Sequence, residues 1–196
     1  MTLLLYPGAG SSSAQPSLIA IERSVAPQRC VRADFPYRKQ GRKAPDRAPV
    51  LLAAIREEIS LLDSAEPLVI GGRSMGGRMC SMIAAGVDGQ PPPINLVGLV
   101  LICYPLHPPG KPDRLRVEHL PAIQVPTLFI SGTRDAFGTP DELTRWTSTM
   151  SVETAVEHVW LEGKGHDLKG ADQLIADAVA GFADRLTGKS RPGLQG

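Results

Sequence analysis

The chain has 196 residues and 20.9 kDa, with 21 basic against 20 acidic side chains, a formal charge of +1 and 42% apolar residues. Area scaling gives about 30,000 Å² for the unfolded chain and about 9,000 Å² folded, so one soluble domain can bury roughly 70% of its surface without disulfides. The balanced charge argues against nucleic acid or an anionic membrane as the main partner, since both demand a clear basic excess.

In chain order, short β-branched or apolar runs alternate with segments of helical spacing, the signature of a parallel α/β fold. The strand candidates are Thr2 to Tyr6, Arg29 to Asp34, Leu68 to Gly71, Leu96 to Cys103, Thr127 to Ser131 and Ala155 to Leu161. The first of them reaches Pro7-Gly8 at once with no cationic start, too short for a secretory signal, so a cytoplasmic protein is expected. A helix is expected from about Pro49 to Leu62, with Leu51, Leu52, Ile55, Ile59 and Leu62 on one stripe and Pro49 in the first turn. A helical stretch Met75 to Ala85 follows the third strand. The longest apolar run, Leu96 to Tyr104, is about half of what a membrane span requires. Thr139 and Glu142 have capping-box spacing around Pro140, and a last helix, Ala171 to Leu186, is expected to bury Leu174, Ile175, Ala178, Val179, Phe182 and Leu186. Together these describe a three-layer α/β/α sandwich on a doubly wound, mainly parallel sheet of about six strands. It spans residues 1–187 as one domain without a cap, followed by a flexible tail, 188–196. Cys30, Cys80 and Cys103 are odd in number and widely spaced, so they are expected to be reduced packing residues rather than disulfide or zinc partners. The charge run from Arg38 to Lys43 has the pattern of a solvated loop.

One motif carries chemistry. Gly72-Arg73-Ser74-Met75-Gly76 has a serine flanked by glycines two residues to either side, the pattern of a nucleophile elbow. The pattern alone is weak; its place directly after the apolar Leu68-Val69-Ile70-Gly71 and at the start of a helical stretch is the setting that gives it meaning. The alternative for Ser74 is a plain helix cap.

A serine hydroxyl needs a base to take its proton and a carboxylate to hold that base in the right tautomer. In this architecture both lie downstream on loops after strands, acid before histidine. His107 and His119 precede the best acid, and His158 lies inside the last strand, which leaves His166 in the loop Gly163-Lys164-Gly165-His166. For the acid, Asp135 ends Ser131-Gly132-Thr133-Arg134-Asp135 after the fifth strand. Asp167 is the second candidate, and Asp141 and Glu142 are better explained as first-turn residues facing a helix dipole. Two N–H donors are needed for a tetrahedral oxyanion; the amides of Met75 and of Ala9, in the loop Pro7-Gly8-Ala9-Gly10, are the candidates. A strand order 2-1-3-4-5-6 would open a crevice between the first and third strands, where both loops converge.

With these residues in place, the sequence resembles an α/β-hydrolase of the small capless group related to dienelactone hydrolases, which contains the testis-expressed hydrolase-like proteins. The likeness covers residues 1 to about 187. It rests on Pro7-Gly8-Ala9-Gly10, Gly71-Gly72-Arg73-Ser74-Met75-Gly76-Gly77-Arg78, Tyr104-Pro105-Leu106-His107-Pro108-Pro109-Gly110-Lys111-Pro112, Gly132-Thr133-Arg134-Asp135 and Gly165-His166. The resemblance implies a triad of Ser74, Asp135 and His166, and it places Thr2 to Tyr6 where the family has its third strand. Two departures stand out. Pro7 occupies the place of a usual histidine, and a serine stands where dienelactone hydrolases carry a nucleophilic cysteine, which argues against their substrate.

The connection from Tyr104 to Gln124 is too short for a helical cap, so an open site for a small ester or thioester is expected, with Tyr104, Leu106 and His107 lining it and no cofactor or metal. Rim loops rich in Arg38, Lys39, Arg42, Lys43, Lys111, Arg114, Arg116, Arg134, Lys164 and Lys169 point to an anionic acyl or leaving group. The sequence does not give the oligomeric state. Two rival readings remain: a dinucleotide binder built on Gly8-Ala9-Gly10 and Asp34, and a non-catalytic scaffold or interaction module that keeps the hydrolase fold.

Overall fold

The computed structural model describes residues 1–151 and 154–188. The expected tail therefore lies, from residue 189 onward, outside the described residues. Six strands form one sheet: β1 (Thr2–Tyr6), β2 (Arg29–Arg32), β3 (Leu68–Arg73), β4 (Leu96–Ile102), β5 (Thr127–Gly132) and β6 (Val156–Leu161). Their order is β2-β1-β3-β4-β5-β6 and every pairing is parallel. The helices are α1 (Pro16–Ser24), α2 (Pro36–Lys39), α3 (Ala48–Ser60), α4 (Met75–Ala84), α5 (Pro140–Thr147) and α6 (Asp172–Leu186), with a 3₁₀ turn at Leu120–Ala122.

Strand alternation splits the apolar side chains between two layers. Leu4, Ile70, Leu99, Leu101 and Phe129 face one side, where Leu51, Leu52 and Ile55 of α3 and Met79 and Ile83 of α4 cover them. Leu3, Leu5, Val69, Val100 and Ile130 face the other, against Leu18 and Ile21 of α1 and Ile175, Val179 and Phe182 of α6. The inner strands are covered on both faces, which is why they read as continuous apolar runs, while the edge strands β2 and β6 are only partly buried. Each such fully buried aliphatic side chain contributes about 2 kcal/mol by area. Gly98 lets α6 approach the sheet: a Cβ there would lie 2.6 Å from Leu186 Cδ1.

The structure extends β3 through Arg73, ends β2 at Arg32 and adds α1 and α2, which the spacing did not indicate. Leu174 is 58% exposed rather than buried, because the stripe that meets the sheet runs through Ile175, Ala176, Val179 and Ala180. Thr139 and Glu142 do form the capping box of α5, and the three cysteines are free. No helix among the described residues is long and apolar enough to cross a membrane.

Candidate active site

At the carboxyl end of β3 the backbone is forced into a turn that only this spacing of glycines permits. Ser74 has φ 49° and ψ −114°, a strained conformation for a residue with a side chain. Its amide donates to the Ile102 carbonyl at 2.7 Å. A Cβ on Gly72 would lie 2.1 Å from the Tyr6 carbonyl oxygen, one on Gly76 2.5 Å from the same atom, and one on Gly77 2.6 Å from the Gly72 oxygen. The flanking glycines are thus required by contact with β1 and with the turn itself, and they bring the start of α4 directly against the first strand's end.

The two loops after β5 and β6 complete the constellation. His166 Nε2 lies 2.9 Å from Ser74 Oγ, and its Nδ1 lies 2.8 Å from Asp135 Oδ2 and 3.0 Å from Oδ1. With Nδ1–H donating to the carboxylate, Nε2 is left to accept from the serine hydroxyl. Asp135 is 2% exposed and also accepts from the Phe137 amide at 2.8 Å. Phe137 stacks on the imidazole with ring centroids 4.0 Å apart. Arg73 Nη2 donates to the His166 carbonyl at 2.7 Å, tying this loop back to the elbow. The loops themselves meet closely: a Cβ on Gly132 would lie 2.2 Å from the Lys164 carbonyl oxygen, which accepts from the Arg134 amide at 2.9 Å.

These groups open on a cleft of about 450 Å³ whose walls include Gly8, Ala9, Ser74, Met75, Phe137 and His166. Gly8 comes within contact of Ser74, its position for a Cβ lying 3.6 Å from the serine Cβ. Among the described residues no hydrogen bond engages the amides of Ala9 or Met75, and both residues line the cleft. A larger surface hollow, lined by Leu115, Val117, Pro121 and Trp146, contains none of these groups. It holds the carboxylates of Asp113 and Glu118 and the hydroxyl of Thr149, but no histidine.

The expected pocket lining needs correction. The backbone turns at Cys103, φ 50°, and sends Tyr104 and Leu106 into the core; the cleft is lined instead by Pro105 between them. Tyr104 packs edge-on against Phe129 and donates its hydroxyl to the Arg116 carbonyl at 2.6 Å. His107 is buried as a brace, its Nε2 3.4 Å from the Glu142 carboxylate and its amide donating to the Phe137 carbonyl. His158, half-buried, stacks between Phe129 and Trp160 and pairs with Thr147. Asp34, needed by the dinucleotide reading, is engaged by the Ser13 amide and hydroxyl at 2.7 Å each, and it fastens the loop after β1 to β2. Arg73, Arg78 and Phe137 were not singled out from the sequence as cleft residues. Arg78 was open to inference, four residues after Ser74 and so one helical turn along the same face.

Cys103, Asp135 and His166 place one potential metal-ligand atom each within 4.8 Å of one another. Two of these three donors are already committed to each other, His166 Nδ1 to Asp135 Oδ2 at 2.8 Å, and burial pushes the Cys103 thiol up to about 12.

A strained serine between strand and helix, beside an imidazole held by a buried carboxylate, is the layout of the α/β-hydrolase class. The chain belongs to that family: residues 1–178 match the one described as an alpha/beta hydrolase domain. Solved structures agree on the fold. Est1E from Butyrivibrio proteoclasticus superimposes with a TM-score of 0.73 at 13% identity, over 96% of this chain and 88% of that one. A monoacylglycerol lipase from Paleococcus ferrophilus gives 0.74 at 15% identity, over 94% of each chain. A pyrethroid hydrolase from Sphingobium faniae JZ-2 gives 0.68 at 15% identity, over 94% of this chain and 97% of that one.

Proposed function

We propose that the protein is a serine hydrolase that cleaves a small ester or thioester through an acyl-enzyme intermediate. Ser74 Oγ attacks the carbonyl carbon while His166 Nε2 takes its proton, and Asp135 stabilises the imidazolium that forms. The amides of Met75 and Ala9 receive the developing oxyanion. The tetrahedral intermediate collapses, His166 returns the proton to the leaving oxygen or sulfur, and the acyl group stays on Ser74. Water then attacks the acyl carbon with His166 again as base, releasing the acid and restoring the serine. The observation that carries this reading is the unbroken chain Ser74–His166–Asp135, 2.9 Å and 2.8 Å, at an elbow whose backbone is strained.

The reading includes one domain over residues 1–187 without a cap and a site open to solvent. It also includes kinship with the dienelactone-hydrolase-related group and a cytoplasmic location, for which three free thiols are suited. Its partner is a small-molecule substrate, and no cofactor takes part in the steps above. The esterase and lipase names among the structural neighbours agree with acyl chemistry. The test is a fluorophosphonate probe: labelling of the native protein but not of Ser74→Ala is expected, followed by turnover on a panel of nitrophenyl esters and acyl thioesters. Absence of labelling would favour the scaffold reading instead.

A further inference from the structure

Charge in the cleft is one-sided. Arg73, Arg78 and Arg116 line it, and none of its lining residues is acidic. Among the described residues no carboxylate lies within ion-pairing distance of these three guanidinium groups. Arg73 is engaged, since it holds the His166 carbonyl. The other two are not. The Nε of Arg78 is buried without a hydrogen-bond partner among the described residues, and the residue lines the cleft. Arg116 has one long contact, 3.5 Å to the Pro105 carbonyl.

Their placement is built, not incidental. Arg78 follows Ser74 by one turn of α4, its amide donating to the Ser74 carbonyl at 2.9 Å. Ser81, further along the same helix, donates its hydroxyl to the Arg78 carbonyl at 2.8 Å and accepts from His119 Nε2 at 2.7 Å. Tyr104 holds the Arg116 carbonyl. The segment carrying Arg116 is therefore pinned at two uncharged points, to α4 through Ser81 and to the turn after β4 through Tyr104. The two guanidiniums stand near enough that Arg78, after burial, depresses the Arg116 pKa. Two cations brought together by a neutral network, with no counter-charge of their own, are an anion site waiting to be filled.

We propose that Arg78 and Arg116 form a carboxylate-binding subsite, so that the ester or thioester presented to Ser74 carries a free carboxylate. This rests on the serine chemistry proposed above; of the cationic rim expected from the sequence it keeps Arg116, and it adds Arg78. A guanidinium fork matches a carboxylate with paired N–H donors, and the subsite shares the cleft with the nucleophile, so anion binding fixes the reacting carbonyl nearby.

The experiment compares kcat/KM for paired substrates: mono-4-nitrophenyl glutarate against 4-nitrophenyl pentanoate, and 4-carboxyphenyl acetate against phenyl acetate. The first pair places the charge on the acyl side and the second on the leaving group. In at least one pair the anionic member is expected to be preferred, and Arg78→Gln and Arg116→Gln are each expected to cut that ratio about tenfold. Raising salt to about 0.5 M should shrink it as well. A ratio that is the same in the native protein and both variants overturns the proposal. A second readout needs no turnover: calorimetric binding of monomethyl glutarate against methyl pentanoate to Ser74→Ala protein, with and without Arg78→Gln. Tighter binding of the anion that Arg78→Gln abolishes supports the subsite even if the fluorophosphonate leaves the native protein unlabelled, in which case only the hydrolase reading fails. Labelling of the native protein with no anion preference in either measurement leaves the hydrolase reading standing and sinks this one.

Discussion

The two halves of the cleft are built by different means. On one side, the loop after β1 and the elbow after β3 are held by backbone against backbone, with Gly72 and Gly76 pressed on the Tyr6 carbonyl. On the other, Asp135, His166 and Arg116 are positioned by polar side-chain links: Asp135 to the Phe137 amide, Arg73 to the His166 carbonyl, Tyr104 to the Arg116 carbonyl, and His119 to Ser81. A steric lock fails all at once when a methyl group is added. A polar linkage yields in steps of about 1 kcal/mol per bond, so it can be tuned.

The strongest way to break the polar half is Asp135→Asn. The amide keeps the shape but favours the wrong imidazole tautomer, and turnover of a nitrophenyl ester is expected to fall by about 10⁴-fold with the fold intact. Steady-state kinetics alongside circular dichroism decide it, and unchanged turnover would remove Asp135 from its role. For the steric half, Gly76→Ala forces a methyl to 2.5 Å from the Tyr6 oxygen. It is expected to cost about 3 kcal/mol and lower Tm by roughly 10 °C; a Tm within error of the native value would show that the elbow is softer than described.

Acid sharpens the contrast further. Burial first, then Arg78, hold the His119 pKa down to about 4 from its ordinary 6.5, with Glu118 opposing. Between those values the unfolded chain binds a proton that the folded chain refuses. The contribution is therefore complete above pH 6.5 and is lost as pH falls toward 4, on the order of 2 kcal/mol. His158, lowered by burial, acts in the same direction. His119→Gln keeps an N–H donor for Ser81 without titrating, so urea unfolding of that variant should show a flatter acid limb. Equal limbs would contradict the assignment. Tyr104→Phe removes one donor to the Arg116 carbonyl and should cost about 1 kcal/mol in the same assay. An effect of similar size has the opposite sign: Ser74→Gly relieves the positive φ and should raise stability by about 1 kcal/mol while ending fluorophosphonate labelling.

This division also explains what could be read from the chain. The steric half is written in residue types, because only glycine tolerates the contacts around Ser74. The strand order followed from crossovers between apolar runs and needed no side-chain detail. Asp135 and His166 were found because each follows a strand on the side where loops gather. Tyr104 and Leu106 were misplaced because a single left-handed residue, Cys103, reverses which side chains face the cleft, and nothing in a cysteine announces that conformation. Helix α1 escaped notice because it begins behind Ser11-Ser12-Ser13 and packs on α6, a partner far away in sequence. Of the cleft arginines, Arg116 stood on the cationic rim expected from the sequence, while Arg78 was harder, since an unpaired guanidinium is defined by the acids that are absent around it.

The close approach of Gly132 to Lys164, together with the Arg134 amide bond to that same carbonyl, welds the β5 and β6 loops into one rigid jaw. Asp135 and His166 are consequently carried on two loops that are bound to each other as well as joined by their own contact. The elbow meets that jaw at the imidazole–hydroxyl contact and through the Arg73 tether. The acid and the base thus stand on one side of that contact and the nucleophile on the other, with the cleft opening beside all three.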